Sequence, residues 1–189
     1  MKVGVLLLAG GVSLRFGSDK RQAVLASGES LLMTTIRAIQ DSGLPLLFCL
    51  GRSDTALQDE LQAADIASTL CPVSNRGMGH TLAHGVQHRP QDWNGVLVAL
   101  ADMPWVRAKT YAAIARSLRK DNIVVPCHQD MRGNPVGFGS NFFGQLIELE
   151  GDIGARSVTG QFSHAVLRLP VDDPGIHRDI DTRDMLQSA

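Results

Sequence analysis

The residues that follow the N-terminal Met-Lys pair form a continuous apolar run, Val3-Gly-Val-Leu-Leu-Leu-Ala9. An apolar run of strand length without polar alternation is typical of a strand buried on both faces, as in parallel sheets. Glycines end the run, and a helix that Ser30 can cap, closing near Gly43, precedes a second apolar strand over 45–50. The sequence therefore begins with a β-α-β unit, whose parallel strands need a helical crossover.

The same alternation of apolar strands and helical segments continues through the rest of the chain. The patterns predict helices near 53–64, 79–88, 109–119, 141–150 and 152–159, strands near 66–71, 95–101, 122–125 and 165–169, a hairpin-like stretch at 132–135 and a closing helix from about 182. Alternating elements favour a three-layer α/β/α sandwich around a mostly parallel sheet. No repeat or low-complexity stretch divides the sequence, so we expect a single domain over 1–189.

Composition excludes several classes of protein. The 18 Lys and Arg against 19 Asp and Glu give a formal net charge of −1, so no strong field attracts nucleic acid or an anionic membrane. No apolar run approaches the roughly 20 residues of a membrane span. Three separated cysteines without a Cys-x-x-Cys pair indicate neither disulfides nor a thiolate zinc site. We expect a cytoplasmic protein with buried reduced thiols, no nucleic-acid partner and no membrane association.

The loop after the first strand has the chemistry of an anion site. Gly10 and Gly11 allow backbone N–H groups to approach phosphate oxygens, and Arg15 and Lys20 supply positive charge. The spacing matches neither a P-loop nor the dinucleotide-binding fingerprint. The alternative is a simple glycine turn with Arg15 and Lys20 solvated.

The segment Leu8–Lys20 reads Leu-Ala-Gly-Gly-x-Ser-x-Arg-Phe-Gly-x-Asp-Lys when variable positions are left open. This motif resembles the signature of MobA-like NTP transferases, the nucleotidyltransferases related to the molybdenum-cofactor guanylyl- and cytidylyltransferases. Further segments resemble the cytidylyltransferase branch in the same order, namely Gly77–Gly85, Ala101–Pro104, Gly133–Val136, Gly151–Arg156 and Asp179–Thr182. Gly79 and Thr81 depart from that branch, which usually has serines at both positions.

The resemblance implies a Rossmann-like nucleotidyltransferase that holds the base and triphosphate of a nucleotide in the first loop. It implies nucleotide binding by Leu8, Ala9, Gly10, Gly11, Arg15, Lys20, Gly77, Met78, Thr81 and Asp102. It also implies that Asn134, Pro135 and Arg156 bind the acceptor. The later segments favour CTP as donor, whereas Gly10 is typical of the guanylyltransferase branch, so GTP stays an alternative.

Asp102 directly follows the predicted strand at 95–101, so it lies at a carboxyl end of the sheet, where α/β folds bind ligands. Mg²⁺ prefers oxygen ligands and commonly takes one or two protein carboxylates plus substrate phosphates. We expect Asp102 and Asp181 to hold this ion, and Arg15 and Lys20 to neutralise charge on the phosphates. The alternative role for each aspartate is a helix cap, Asp102 before the helix at 109 and Asp181 before the closing helix.

Three histidines, His80, His84 and His88, recur at four-residue steps along one helix face. A zinc site is disfavoured because no Glu accompanies them as in His-Glu-x-x-His and Gly85 weakens the helix between them. A polar surface stripe is favoured, with contact to the nucleotide as an alternative for His80.

We therefore expect a magnesium-dependent nucleotidyltransferase with Arg15, Lys20 and Asp102 as catalytic residues. It joins a nucleoside monophosphate unit from a nucleoside triphosphate to a phosphorylated small-molecule acceptor and releases pyrophosphate. The resemblance implies molybdopterin as the acceptor and a molybdoenzyme as the client. Two alternatives stay open: a sugar-phosphate nucleotidyltransferase of the same fold, and a non-catalytic chaperone that binds the molybdenum cofactor. A chaperone would need the pocket without the metal, so the presence of Asp102 and Asp181 favours the enzyme.

Overall fold

The computed structural model of the chain describes residues 1–9, 21 and 23–180. Within them, eight strands form one sheet in the order β3-β2-β1-β4-β7-β5-β6, and β8 also pairs with β5. The strands are β1 (Val3–Leu8), β2 (Leu46–Gly51), β3 (Ser68–Cys71), β4 (Gly95–Leu100), β5 (Ile123–His128), β6 (Met131–Arg132), β7 (Val136–Gly139) and β8 (Val166–Pro170). The α-helices of this part of the chain are α1 (Leu31–Asp41), α2 (Thr55–Ala63), α3 (Met78–His88), α4 (Ala108–Ser117), α5 (Phe143–Ile147) and α6 (Arg156–Gln161).

The sheet is mostly parallel, as the strand patterns predict. β1 pairs in parallel with both β2 and β4, β2 pairs in parallel with β3, and β5 pairs in parallel with β8. β7 is antiparallel to both β4 and β5, which makes those two strands parallel to each other. The carboxyl ends of β1, β2, β3, β4 and β5 therefore lie along the same edge of the sheet.

Helices cover both faces of this sheet. Successive residues of β1 point to opposite faces, so Leu7 lies in a core cluster with Ile36 of α1 and Ile114 of α4. Leu6 lies in the other cluster with Leu82 of α3. This arrangement confirms the three-layer α/β/α sandwich. No helix of the described residues is long and apolar enough to cross a membrane.

The first half of the chain follows the predicted elements closely. Ser30 caps α1, because its hydroxyl accepts a hydrogen bond from the Met33 N–H at 3.2 Å. Later boundaries differ from the prediction. The helix predicted over 141–150 is only α5 after a short 3₁₀ turn, and a helix from Asp152 is wrong because α6 begins at Arg156. The closing helix expected from about 182 lies outside the described residues.

A bulge separates β6 from β7 along one edge of β5. Cys127 pairs with Arg132 and Val124 with Gly137, so the four residues 133–136 lie opposite the two residues 125–126. The extra residues contain a cis peptide bond between Asn134 and Pro135. The backbone N–H of Asn134 donates to the carbonyl of Ile176 at 3.0 Å. The bulge therefore turns two of the predicted acceptor residues, Asn134 and Pro135, out of the sheet at its carboxyl edge.

Candidate active site

Asp102 lies where the strand order of the sheet reverses. The chain passes from β1 to β2 on one side, while β4 lies on the other side of β1, and open α/β sheets bind ligands at such a point. The N–H of Ala101 donates to the carbonyl of Leu8 at 3.1 Å, and the N–H of Ala9 donates to the carbonyl of Cys49 at 3.1 Å. These bonds bring the predicted nucleotide-binding residues Leu8 and Ala9 beside the predicted metal ligand Asp102.

The helix-cap alternative for Asp102 is wrong. The N-cap residue of α4 is Arg107, and the carboxylate at this end of the helix is that of Asp173. Asp173 accepts hydrogen bonds from the Arg107 N–H at 2.9 Å and from the Thr110 hydroxyl at 2.5 Å. Asp102 is half-buried just after β4 and does not cap α4.

Five of the predicted site residues, Gly10, Gly11, Arg15, Lys20 and Asp181, lie outside the described residues, and their roles stay predictions. The residue after Lys20 is described. Arg21 donates two hydrogen bonds to the carboxylate of Asp54, at 2.6 and 2.8 Å, and Asp54 accepts a third from the N–H of Gly51 at 2.9 Å. The chain that leaves the first loop is therefore joined to the carboxyl end of β2.

The first turn of α3 carries the second predicted nucleotide segment. Gly77 adopts a φ of 121°, a conformation that favours glycine, and it lies directly before the helix. Met78 is exposed, whereas Thr81 is completely buried. The hydroxyl of Thr81 has no hydrogen-bond partner among the described residues. The structure thus presents the helix start at the same sheet edge as Asp102.

A cavity of about 340 Å³ lies beside these residues, a volume within the usual range of small-molecule sites. It is lined by Met78, Val98, Leu100, Val125, Arg132, Gly133, Asn134, Val136, Gly154, Ala155, Arg156 and Thr159. Two of the three predicted acceptor residues, Asn134 and Arg156, therefore face the same space as Met78. The third, Pro135, is buried and is not among the described residues that line the cavity.

The charged side chains among the described lining residues of this cavity are all positive. Arg132 and Arg156 supply two guanidinium groups, and none of its described lining residues is acidic. Much of the remaining wall is aliphatic, with Val98 and Val136 as examples. Guanidinium groups bind phosphate and carboxylate oxygens in a forked geometry. The cavity therefore suits an anion that carries an apolar or flat body.

Sequence reasoning missed Arg132 as a site residue. Its signal is its position directly before the Gly133–Val136 segment. The bulge between β6 and β7 brings Arg132 to the cavity together with Gly133, Asn134 and Val136 of that segment. A motif match alone does not show this because Arg132 lies one residue outside the matched segment.

The histidine stripe of α3 makes protein contacts. His80 Nδ1 accepts from the Gly151 N–H at 2.9 Å, and His84 Nε2 lies 2.9 Å from the hydroxyl of Thr69. The rings of His84 and His88 stack with their centroids 3.8 Å apart. No group of three His, Cys, Asp or Glu side chains in the described chain is placed to hold a metal ion.

The three cysteines are buried and have free thiols, as expected from their spacing. Burial raises the pKa of the Cys49 thiol to about 12, with a smaller contribution from the nearby Cys71. A thiol with so high a pKa is protonated at neutral pH and is a poor nucleophile. Covalent catalysis through Cys49 is therefore disfavoured.

Comparison with known proteins agrees with this geometry. Residues 5–167 match the family model of the MobA-like NTP transferase domain. The chain belongs to this family. The family assignment makes it a nucleotidyltransferase, which agrees with an aspartate at the strand-order reversal. No curated protein matches the sequence significantly.

Solved structures share the fold over nearly their whole length. Rv0371c of Mycobacterium tuberculosis H37Rv is 24% identical, with a TM-score of 0.87, and the match covers 100% of this chain and 98% of that one. Another structure of Rv0371c, in complex with manganese, is 22% identical, with a TM-score of 0.79 and 100% of both chains covered. Molybdopterin-guanine dinucleotide biosynthesis protein A of Archaeoglobus fulgidus is 18% identical, with a TM-score of 0.67, covering 98% and 95%. At these identities the likeness supports the fold.

Proposed function

We propose that this nucleotidyltransferase transfers the CMP unit of CTP to a phosphorylated small molecule, the molybdopterin form of the molybdenum cofactor, and releases pyrophosphate. The observation that carries the proposal is the positively charged cavity between Met78 of α3 and Arg156 of α6. Leu100, which lines that cavity, precedes Asp102 by two positions. An anionic acceptor in the cavity therefore lies close to the proposed metal ligand.

Nucleotidyl transfer needs no covalent bond between the protein and the substrate. The acceptor phosphate attacks the α-phosphorus, its new P–O bond forms, and the bond to pyrophosphate breaks. We assign Arg15 and Lys20 to the triphosphate charge, and Asp102 with Asp181 to a Mg²⁺ ion. Aspartate oxygens are the ligands that Mg²⁺ prefers, and the bound ion neutralises charge on the phosphates. The manganese complex of a protein of the same fold is in keeping with a divalent metal.

The cavity wall supports an acceptor with few hydroxyl groups. Asn134 and Thr159 are the neutral polar side chains among its described lining residues, whereas four of the others are Val or Leu. A free sugar exposes many hydroxyls, and each one that is buried without a hydrogen-bond partner costs roughly 1–3 kcal/mol. The aliphatic part of the wall can pack against the flat face of a ring system that carries a phosphate. This observation and the family resemblance together favour molybdopterin.

CTP is proposed as the donor because the segment Gly77–Gly85 resembles the cytidylyltransferase branch. A molybdoenzyme is the proposed client of the product. We also propose a cytoplasmic location, where nucleoside triphosphates are available. The three buried free thiols are compatible with a reducing compartment.

The decisive experiment is a panel of the four triphosphates with Mg²⁺, with and without molybdopterin, read by pyrophosphate release. We expect acceptor-dependent release with CTP at least about tenfold faster than with GTP, a difference of about 1.4 kcal/mol. Faster release with GTP would overturn the donor assignment. Release with a sugar phosphate but not with molybdopterin would overturn the acceptor assignment. Tight binding of the cofactor with no release under any condition would favour the chaperone.

Arg156→Gln supplies a matched test of the acceptor cavity. The variant removes a cationic group from the wall, so the KM for the acceptor should rise at least about tenfold while the KM for CTP changes little. Arg116→Gln is the control, because Arg116 is an exposed arginine on α4, on the opposite face of the sheet. An equal loss of CTP affinity in Arg156→Gln would instead assign Arg156 to the donor.

A further inference from the structure

Two hydrogen bonds join the turn at Gly151 to the first turn of α3. The backbone N–H of Gly79 donates to the carbonyl of Gly151 at 2.8 Å. The backbone N–H of Gly151 donates in return to Nδ1 of His80 at 2.9 Å. One residue of the α5–α6 connection is thus held through both its N–H and its C=O.

This hydrogen bond specifies the tautomer of the His80 ring. A ring nitrogen that accepts a hydrogen bond carries no proton, so the proton of the neutral ring is on Nε2. Alanine at this position has no acceptor for the Gly151 N–H. Asparagine has one, because its Oδ1 is attached to the γ carbon, as Nδ1 is in histidine. Comparing His80→Ala, which loses the acceptor, with His80→Asn, which keeps one, therefore isolates the effect of this hydrogen bond from that of the rest of the side chain.

Glycines allow the two segments to approach this closely. A Cβ atom on Gly77 would lie 2.2 Å from the carbonyl carbon of Gly151, and one on Gly79 would lie 2.7 Å from the carbonyl oxygen of Ile153. Both distances are far below a normal contact, and the obstructing atoms are backbone. This explains why the chain has Gly79 where the cytidylyltransferase branch usually has serine.

The segment held in this way leads directly into the wall of the cavity. Gly154, Ala155 and Arg156 follow Gly151 within five positions, and all three line the cavity across from Met78. The carbonyl of Gly154 accepts from the N–H of Ser157 at 3.2 Å, so this segment is hydrogen-bonded to the start of α6. The short segment 151–156 therefore connects Arg156 to the residue that pairs with α3.

We propose that His80 is a positioning residue, which through Gly151 sets the distance between Arg156 and the start of α3 across the cavity. The inference rests on the proposed function for its kinetic consequence alone. His80 contacts neither nucleotide nor acceptor in this assignment. Its effect is on the shape of the acceptor side, so acceptor affinity depends on it and donor affinity does not.

A structural experiment tests the positioning without any reaction. Backbone amide exchange and NMR spectra are recorded for the wild type, His80→Ala, His80→Asn and the control His88→Ala, which changes an exposed histidine of the same helix. In His80→Ala we expect exchange at the Gly151 N–H to rise about tenfold, and the Gly154 and Arg156 amide signals to shift. His80→Asn and His88→Ala should keep the wild-type values. Unchanged Arg156 signals in a folded His80→Ala protein would overturn the proposal.

Kinetics test the consequence for the reaction. In His80→Ala the KM for the acceptor should rise about five- to tenfold, with kcat and the KM for CTP within about twofold of wild type, and His80→Asn should recover most of the loss. A loss confined to CTP affinity would make His80 a nucleotide contact and overturn the proposal. If the wild-type chain transfers no nucleotide, the proposed function fails, and the exchange experiment still decides whether His80 positions Arg156.

Discussion

The backbone carbonyl of Asp102 accepts a hydrogen bond from the N–H of Ile180 at 3.0 Å. Ile180 is completely buried in a small cluster with Leu25 and Leu31, beside the start of α1. The chain therefore returns from its last third to the end of β4. The residue after Ile180 in the sequence is Asp181, the second proposed metal ligand. This return is the structural support for pairing two aspartates that are distant in the sequence.

The first prediction concerns Asp102→Asn. Asparagine keeps the size and one carbonyl ligand but removes the charge that balances the metal–phosphate cluster. We expect turnover to fall at least about a hundredfold, a loss of roughly 2.7 kcal/mol of transition-state stabilisation. Nucleotide affinity without metal should barely change. Pyrophosphate release at saturating Mg²⁺ is the measurement.

Asp121→Asn is the matched control for this prediction, because Asp121 is exposed and lies before the amino end of β5, at the opposite edge of the sheet. It should release pyrophosphate at the wild-type rate. Both variants should melt near the wild type, since Asp102 does not cap α4. Near-normal turnover of Asp102→Asn would contradict the metal assignment.

The second prediction concerns Lys20→Met, which removes a positive charge and leaves a similar apolar stem. We expect triphosphate affinity to fall at least about tenfold, because a cationic phosphate contact is lost, while the melting temperature stays unchanged. Calorimetric titration with CTP and a thermal melt measure the two effects. A variant that melts markedly lower but binds CTP normally would indicate a packing role for Lys20.

The alternating fold was predictable because its signals are local. The strand β1 is a continuous apolar run, and Ser30 caps α1 by accepting a hydrogen bond from Met33, three residues later in the sequence. The connection before α6 was not predictable in the same way. Gly151 has a φ of 60° and pairs its backbone with α3 instead of continuing a helix, and this pairing depends on residues more than 70 positions earlier.

The site shows the same division. A motif identified the segments that reach the cavity, including Asn134 and Arg156, because close backbone approach and phosphate binding need particular residues in sequence. Arg132 was not singled out from the sequence, and His80 was considered there only as a surface residue or a nucleotide contact. Each is placed by a tertiary relationship: Arg132 by the bulge opposite β5, and His80 by its hydrogen bond with the turn at Gly151.

The third prediction is a pH dependence of stability from His84. Burial, and then the charge of the stacked His88, lower the pKa of His84 below its usual value of 6.5. The unfolded chain therefore binds this proton more readily than the folded protein. The contribution of His84 to the free energy of unfolding is therefore fully present above about pH 6.5. It is lost as the pH falls through the lower pKa of the folded protein.

His84→Gln should weaken the pH dependence of stability, since glutamine does not titrate. Its amide can still form a hydrogen bond with the Thr69 hydroxyl. Urea unfolding between about pH 5 and 7 measures it. His164→Gln, an exposed histidine before β8, is the control and should leave the slope as in the wild type. An unchanged slope in His84→Gln would mean that other groups cause the dependence.

The fourth prediction concerns Asp173, which is completely buried and accepts hydrogen bonds from the Thr110 hydroxyl and from the N–H groups of Arg107 and Gly175. Asp173→Ala leaves these donors unpaired, so we expect a loss of about 2–4 kcal/mol of unfolding free energy. For a chain of this size that corresponds to a melting temperature lower by about 5–15 °C.

Asp172→Ala is the control, because Asp172 is exposed and accepts a hydrogen bond from Arg107 only through its backbone carbonyl. The melting temperature of Asp173→Asn should lie between those of Asp173→Ala and Asp172→Ala, since asparagine keeps one acceptor and loses the charge. Equal melting of Asp173→Ala and Asp172→Ala would show that the buried carboxylate does not stabilise the start of α4.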